Sequence, residues 1–288
     1  MKNKAFACAL AALFATACNT EHGPEKPGNS KWISRIVEYR PAPGQFVNTY
    51  LGSIDAARGV VGGKSGCVSL GGFGGYIVFE FDHEVRNIDG TDFVIFGNAF
   101  DGNSEPGIVE VSPDGRSWYR LKGSEDDADG TVRDYTIAYV RPEQTSTAEA
   151  VAWTDSRNRS GRIETVSAHR QCYWPLFLAD APETLIFRGL LLPGNSSWNG
   201  ERFVQAAFAH GYADNWSADY NETAGDDPDT RGSNKFDLDN AVDSDGNPVA
   251  LTAIRQVKVY TAMNQWVGGG IGETSTEICG ALSLSASL

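Results

Sequence analysis

The sequence predicts an all-β protein built as a single antiparallel β-sandwich or jelly roll with long loop insertions. Three observations support this prediction. Short apolar or alternating runs recur along the chain, and they are rich in β-branched and aromatic residues. Gly, Pro, Asn or Asp bounds the runs. No long stretch keeps the 3.6-residue period of an amphipathic helix, so strands at this spacing indicate a sandwich.

The first residues predict export and a lipid anchor. The stretch "MKNKAFACALAALFATAC" places Lys2 and Lys4 before an apolar run and small residues before Cys18, which is the layout of a signal peptide. "ATAC" resembles the lipobox of bacterial lipoproteins, so we predict a signal peptide over residues 1–17 and lipid on Cys18. The alternative is an ordinary signal peptide cut nearby, with Cys18 incidental. The run is too short to span a membrane.

The polar, Pro- and Gly-containing residues 18–30 predict a flexible tether. Residues 31–288 are then expected to form one ligand-binding β-sandwich domain, since all-β domains of this length often occur as single units. No other stretch of the sequence is apolar enough to cross a bilayer. We therefore expect contact with the membrane through the lipid anchor only.

The charge of the chain restricts its partners. The formal net charge is -13, and removal of the two signal-peptide lysines makes it more negative. Such a surface repels nucleic acid and anionic membranes, and it suits divalent cations or neutral or cationic ligands. Acidity also serves solubility alone, so it does not by itself identify a ligand.

Three cysteines follow the tether, at Cys67, Cys172 and Cys279. Because their number is odd, they cannot all pair within the chain. One disulfide in an oxidising compartment and three buried thiols are both compatible with the sequence. None of the three belongs to a CxxC or Cys-His cluster of the kind that binds zinc.

Eight runs predict strands in the order in which they occur. They are "WISRIVEYR", "YIVFEFD", "DFVIFGNAF", "GIVEVSPDG", "YTIAYV", "AVAWTD", "TLIFRGLLL" and "AIRQVKVYTA". Within "YIVFEF", Ile77, Phe79 and Phe81 share one face of the predicted strand. The glycines of "SLGGFGG" precede this strand and predict a bend or a bulged entry, because a phosphate-binding loop would lead into a helix.

The stretch "GIVEVSPDGRSWYRL" predicts a β-hairpin. Val109 and Val111 alternate in one strand, and Asp114-Gly115 supplies the tight turn. The phrase is similar to those of galactose-binding-like and discoidin-like sandwiches, in which the tryptophan at the position of Trp118 usually packs in the core. This resemblance implies a galactose-binding-like fold and says little about function.

Two long loops interrupt the strand pattern, over residues 155–174 and 192–234. Long loops in compact domains are usually functional or disordered. The second is rich in Asn, Asp and aromatic residues. Aromatic contacts and amide hydrogen bonds are suited to holding a small ligand. We predict ligand-binding roles for four aromatic residues of this loop: Trp198, Tyr212, Trp216 and Tyr220.

A cluster of acidic residues suggests a structural calcium site. The stretch "KFDLDNAVDSDGNP" offers Asp237 and Asp243 among other oxygen ligands, and calcium takes six to eight of these. An acid between Phe236 and Leu238 would be partly buried and would need a partner. Asn98, Glu105 and Glu277 stand in other polar clusters that could complete the site. The alternative for "DSDGNP" is a β-turn that needs no ion.

Motifs for catalysis are scarce. His83, His169 and His210 are far apart in sequence, and no nucleophile-elbow or zinc-protease phrase occurs. The prediction is therefore a protein that is not an enzyme. A glycoside hydrolase with two carboxylates is the less favoured alternative, because a sequence cannot show how far apart two acids lie.

Four phrases together resemble a family of secreted or lipid-anchored cell-surface proteins of Bacteroidetes. They are "LGGFGGYIVFEFDHEV", "DFVIFGNAFDGNSEPGIVEVSPDGRSWY", "FDLDNAVDSDGNPVALTAIRQVKVYTA" and "GETSTEI". Some surface lipoproteins of this kind accompany TonB-dependent outer-membrane transporters for corrinoids or glycans. The resemblance implies an outer-membrane, surface-exposed protein that captures a small ligand, with a corrinoid such as cobalamin as the first expectation. A carbohydrate-binding surface protein and a purely structural surface module are the alternatives.

Overall fold

The structure is a computed structural model that describes residues 30–180, 182–220, 222, 228–268 and 270–285. The predicted signal peptide, Cys18 and nearly all of the tether therefore lie outside the described residues. Within the described part of the chain, no helix is long and apolar enough to cross a membrane.

Strands dominate the fold, and every strand pair in its sheets is antiparallel. The strands are β1 (Arg35–Arg40), β2 (Val68–Ser69), β3 (Tyr76–Arg86), β4 (Phe93–Phe96), β5 (Gly107–Ser112), β6 (Tyr119–Leu121), β7 (Val132–Val140), β8 (Val151–Asp155), β9 (Ser160–Ile163), β10 (Thr184–Leu191), β11 (Ser196–Trp198), β12 (Phe203–Gln205), β13 (Ser233–Phe236), β14 (Ala241–Val242), β15 (Ala253–Thr261), β16 (Glu277–Ile278) and β17 (Gly280–Ser283). The all-β prediction is confirmed.

Helical structure is limited to short pieces. The α-helix α1 (Ile54–Gly59) begins after Ser53, whose side chain accepts a hydrogen bond from the Ala56 N–H and so caps the helix. Two 3-10 helices cover Pro228–Thr230 and Leu238–Asn240. None of these pieces interrupts the main sheets.

The strands form three larger sheets and two small ones. The largest has the order β1-β3-β15-β5-β6-β14, the second β10-β7-β8-β9 and the third β13-β4-β17. β11 pairs with β12, and β16 pairs with β2. Each of the eight predicted runs contains a strand of this set, because alternating apolar residues bury one face of each strand in the interior.

The main core lies between the six-stranded and the three-stranded sheets. Ile77 and Phe79 of β3 and Val257 of β15 pack in one cluster with Phe93 and Ile95 of β4. This is the face-to-face arrangement of a β-sandwich. Ile77, Phe79 and Phe81, which were predicted to share one face of this strand, are all buried.

The opposite face of the six-stranded sheet is also covered. Tyr76 of β3 and Tyr260 of β15 pack against residues of β10, including Leu190. The interior of the four-stranded sheet packs around Tyr135 and Trp174. Both faces of the largest sheet are therefore buried over part of their area, which explains why Val78, on the face opposite Ile77 and Phe79, is only 5% exposed.

Two predicted turns have the expected structure. β5 and β6 form a hairpin across Asp114 and Gly115, whose φ of 72° is the left-handed conformation that glycine favours. Trp118 lies at the start of the return strand and is half-buried. The "SLGGFGG" glycines form the predicted bend before β3, where a Cβ on Gly75 would lie 1.9 Å from the Leu70 carbonyl oxygen.

Cys67 and Cys279 form a disulfide, and Cys172 is a buried free thiol. The disulfide lies beside the short pair β2–β16, since Cys67 precedes β2 and Cys279 follows β16. It therefore joins the strand that carries Glu277 to a distant part of the chain.

Candidate metal centre and ligand surface

Three carboxylates from distant parts of the chain meet in the interior. One carboxylate oxygen from each of Glu105, Asp214 and Glu277 lies within 4.8 Å of the others. Asp214 is 0% exposed and Glu277 is 2% exposed, whereas Glu105 is partly exposed. Glu105 precedes β5, Asp214 lies in the long second loop, and Glu277 begins β16. We refer to these three residues as the acidic cluster.

The backbone of the long loop fixes Asp214 in place. The neighbouring Ala213 exchanges two backbone hydrogen bonds with Gly107 at the start of β5. Asp214 itself has a φ of 52°, an uncommon conformation for a residue other than glycine. Gly97 must be a glycine here, because a Cβ on it would lie 2.4 Å from Asp214 Oδ1. These contacts hold the Asp214 carboxylate at one point in the interior.

Backbone N–H groups and hydroxyls satisfy part of the acidic cluster. Asp214 Oδ1 accepts from the Asn98 N–H at 2.9 Å, and Oδ2 accepts from the Glu277 N–H at 2.9 Å. Glu105 Oε1 accepts from the Ser275 N–H at 3.0 Å, and the Ser275 hydroxyl donates to Glu277 Oε1 at 3.1 Å. Among the ion pairs of the described residues, none involves a member of the cluster.

Burial without a cationic side chain raises the pKa of all three acids. Desolvation raises the pKa of Glu105 to about 7. Desolvation and the nearby Glu105 carboxylate raise the pKa of Asp214 to about 8. Desolvation, followed by repulsion from Glu105 and Asp214, raises the pKa of Glu277 well above its ordinary value. Either protons or a cation must therefore neutralise the cluster.

Gln205 lies beside the cluster and has one side-chain oxygen that is unpartnered in the described part of the chain. Its side chain is fully buried and hydrogen-bonds the Glu105 carboxyl. Gln205 Nε2 also donates to Thr274 Oγ1 at 3.2 Å, but the buried Oε1 atom has no partner among the described residues. A buried carbonyl oxygen without a donor is costly. It is also an oxygen ligand of the type that hard cations prefer.

The structure brings together two of the five predicted metal-ligating residues, Glu105 and Glu277. Asn98 reaches the acidic cluster through its backbone N–H. Sequence reasoning missed Asp214 and Gln205. Asp214 follows Tyr212 and Ala213, both buried, and an acid adjacent to such a pair is the one local sign that could have indicated its burial.

Asp237 and Asp243 differ from the sequence prediction, because neither belongs to the acidic cluster. The Asp237 carboxylate caps a 3-10 helix by accepting from the Asp239 N–H at 2.8 Å. Asp243 Oδ1 accepts from the N–H groups of Asp245 and Asn247. The ion-free turn is therefore the better account of "DSDGNP", as this hydrogen-bond pattern is that of an Asx-turn.

The four aromatic residues predicted to bind ligand are divided between the interior and the surface. Tyr212 is 0% exposed, and its hydroxyl contacts Asp126 and the Glu125 N–H. Tyr220 is 5% exposed, with its hydroxyl donating to the Gly97 carbonyl oxygen. These two side chains are enclosed and differ from the predicted ligand surface. Trp216 is half-buried and packs on Tyr220.

Trp198 lies at the surface, as a ligand contact requires. It is 58% exposed and forms an edge-to-face pair with Phe203, which is 42% exposed, at a centroid distance of 5.2 Å. The two residues face each other across the β11–β12 hairpin. We refer to Trp198 and Phe203 as the aromatic pair. Gln205, beside the acidic cluster, closes the same hairpin opposite Ser196.

A cleft of the described residues with a volume of about 960 Å³ lies elsewhere. Asp82 and His83 line it, and His83 contacts both Asp82 Oδ1 at 2.6 Å and Ser283 Oγ at 3.0 Å. This arrangement resembles the connectivity of a Ser-His-Asp triad. Ser283, however, is fully buried in β17 and does not line the cleft. The array therefore serves packing here rather than nucleophilic attack.

No protein-family model matches this chain, and no curated protein matches it significantly.

Proposed function

We propose that this chain is a lipid-anchored surface protein without catalytic activity that captures a small neutral ligand, and that a calcium ion at the acidic cluster stabilises its ligand surface. One observation carries the proposal. Three converging carboxylates and the partnerless Gln205 Oε1 lie at the base of the hairpin that displays the aromatic pair.

The donor set favours calcium over other metals. Glu105, Asp214, Glu277 and Gln205 offer oxygen atoms only, and hard cations such as calcium and magnesium prefer these. Calcium accepts six to eight oxygens in flexible geometry, whereas magnesium demands an octahedron and keeps much of its water. Enclosed carboxylates held by a rigid sheet leave little room for that water shell, which supports calcium.

The same residues connect the cation to the ligand surface. The Gln205 carbonyl oxygen accepts from the Ser104 N–H at 3.1 Å, and the Gln205 N–H donates to the Gly102 carbonyl oxygen at 2.8 Å. These bonds tie β12 to the segment that carries Glu105. A cation bound by both side chains would fix the β11–β12 hairpin, and with it the position of the aromatic pair.

The aromatic pair is suited to one face of a neutral ligand. Exposed tryptophan and phenylalanine rings bind flat apolar surfaces, and the negative charge of the chain disfavours anions. A sugar ring matches the area of such a pair. A corrinoid, the first expectation from the sequence, is the other candidate, supported by the resemblance of the four phrases to surface proteins near corrinoid transporters.

The alternative of glycoside hydrolysis has less support. Glycosidases place two carboxyl groups on either side of an accessible scissile bond. Asp214 and Glu277 are both almost fully buried and hydrogen-bonded to backbone N–H groups. An enclosed cluster of this kind is suited to holding an ion rather than to flanking a polysaccharide chain.

The first residues of the sequence support the proposed location and partner. Lipid on Cys18 would hold the protein at the outer membrane, with the domain at the cell surface and the tether as spacer. A ligand that is captured at the cell surface must then cross the outer membrane. We propose a TonB-dependent transporter as the partner that carries it across.

Binding measurements test the proposed capture. Isothermal titration of the full-length chain in detergent, with cobalamin, cobinamide and neutral oligosaccharides, should reveal binding to one of these classes. Trp198→Ala should weaken it by about two- to tenfold, since a stacked aromatic ring contributes roughly 0.5–1.5 kcal/mol. Tyr50→Ala is the matched control, because Tyr50 is an exposed aromatic residue outside the hairpin. Absence of binding to every ligand class, with the protein folded, would refute capture.

A further inference from the structure

The strand that carries Glu277 belongs to a very short antiparallel pair. In the pair of β16 and β2, Glu277 lies opposite Ser69 and Ile278 lies opposite Val68. Among the described strands, these two pair only with each other. Because so short a ladder is marginal on its own, the position of Glu277 needs further support.

The Cys67–Cys279 disulfide supplies support at one end of this pair. Cys67 directly precedes Val68 and Cys279 directly follows Ile278, so the covalent bridge lies where the next pair of the ladder would be. It joins two segments that are 212 residues apart in sequence. Loss of the bridge would therefore let the ladder fray from the cysteine end towards Glu277.

The β2 strand helps to place the Glu277 carboxylate. The Ser69 side chain hydrogen-bonds to this carboxylate from the opposite strand, and the Ser275 hydroxyl donates to its Oε1 at 3.1 Å. β16 has a second anchor, because the Cys279 N–H donates to the Phe96 carbonyl oxygen of β4 at 2.7 Å. Fraying would therefore move β2 and its Ser69 hydroxyl away from Glu277.

The disulfide is accessible to a reductant, whereas the third cysteine is enclosed. Cys67 and Cys279 are half-buried, and Lys64 and Ser65 next to Cys67 in sequence are exposed. Cys172 is 4% exposed in the core of the four-stranded sheet. One thiolate of a dithiol can bond to a sulfur of the bridge as the S–S bond breaks, and its second thiolate then displaces that cysteine. Two electrons and two protons pass to the protein, which leaves two cysteine thiols and an oxidised dithiol.

We propose that the Cys67–Cys279 disulfide positions Glu277 at the cation site of the acidic cluster, so that its reduction by a dithiol weakens calcium binding. The inference rests on the proposed function and adds redox regulation of its cation site. Groups that orient a metal ligand typically change metal affinity by about 10- to 100-fold. A disulfide with only a structural role would lower the stability of the fold in calcium and in chelator equally, and it would leave calcium affinity unchanged.

Calcium titration of the full-length chain in detergent, before and after treatment with dithiothreitol, tests the inference. Reduction should weaken calcium binding by about tenfold or more, while circular dichroism shows that the strands are retained. The double variant Cys67→Ala, Cys279→Ala should have the weaker affinity in both conditions. Cys172→Ala should respond to dithiothreitol as the wild type does.

Two further variants separate positioning from a general loss of stability. Ser69→Ala keeps the disulfide but removes the hydroxyl opposite Glu277, so it should weaken calcium binding even where the double variant fails to fold. Ile137→Val destabilises the core of the four-stranded sheet, and it should leave calcium affinity within about twofold of wild type.

Equal calcium affinity of the oxidised and the reduced wild type, both folded, would overturn the inference and leave the cation site in place. A loss of affinity in Ile137→Val as large as that on reduction would make the disulfide a general stabiliser, and it would also overturn the inference. If the oxidised wild type binds no calcium, the proposed cation site itself is wrong and the inference fails with it.

Discussion

At the scale of single residues, Glu105 is the most informative member of the acidic cluster. Glu105→Gln keeps an oxygen to accept from the Ser275 N–H and removes one negative charge from the cluster. In calcium, the variant should lose the stabilisation from the ion, about 2.7 kcal/mol at a hundredfold excess over the dissociation constant. In chelator it should be at least as stable as wild type, because one buried charge is gone.

Thermal unfolding in calcium and in chelator measures both effects. Asp237→Asn is the matched control, since Asp237 caps a 3-10 helix outside the cluster and should leave the calcium response unchanged. The same sign of effect for Glu105→Gln in both conditions would contradict a role in binding an ion.

The pKa values of the cluster predict an unusual pH dependence. The folded-state pKa values of Glu105, about 7, and Asp214, about 8, exceed the ordinary values of 4.5 and 3.8. The folded chain therefore holds more protons than the unfolded chain between about pH 4 and pH 8. In chelator, stability should fall as pH rises through this window.

Calcium should reverse this trend, because it binds the deprotonated carboxylates and competes with protons. Denaturant unfolding at several pH values, with and without calcium, gives the comparison. The added stability from calcium should be greater at pH 8 than at pH 6. A calcium effect that decreases with rising pH would contradict this account.

At the scale of elements, the β11–β12 hairpin should depend on the ion. Among the described residues it pairs with no larger sheet, and Gln205 connects it to the acidic cluster. Small elements with few partners open locally before the main sheets do. Removal of calcium should therefore speed amide hydrogen exchange over residues 196–205 by about tenfold, while β3 and β15 in the six-stranded sheet stay protected.

Exchange detected by mass spectrometry separates these segments. Glu105→Gln in calcium should reproduce the exchange of the wild type in chelator, which ties the effect to the cluster. Equal exchange of residues 196–205 with and without calcium would show that the hairpin does not depend on the ion.

Sequence reasoning succeeded for strands because their signal is local. The alternation in "YIVFEF" and the Asp-Gly turn of "VSPDGRSW" are determined by neighbouring residues, and both have the predicted structure. The packing of the three larger sheets on one another could not be predicted from such local patterns. Val78 lies on the face of β3 opposite Ile77 and Phe79, and a second layer of the fold covers that face too.

The acidic cluster could not be predicted from the residues that neighbour each acid in the sequence. Asp237 and Asp214 both stand beside apolar residues, but one caps a 3-10 helix and the other is buried against two distant glutamates. The sequence offers Glu105 and Glu277 as candidate ligands because they stand in polar clusters. Their meeting with Asp214 depends on the pairing of Gly107 with Ala213, which no single stretch of the sequence reveals.

At the scale of the whole molecule, the chain should be attached to membranes through its first residue after processing. Cys18→Ser removes the site of lipid attachment, and each buried methylene of a lipid chain contributes about 0.8 kcal/mol to membrane binding. The variant should therefore move from the membrane fraction to the soluble fraction. Phase separation in detergent measures this change, and unchanged membrane retention of the variant would exclude Cys18 as the anchor.

The central claim is that one calcium ion organises the acidic cluster and the ligand surface above it. Isothermal titration of calcium into the chelator-treated, full-length chain tests this claim most directly. We predict a single site per chain, much weaker binding of magnesium, and loss of the site in Glu105→Gln but not in Asp237→Asn. A folded wild-type chain that shows no calcium binding at millimolar concentration, or one that binds equally well after Glu105→Gln, would contradict the claim.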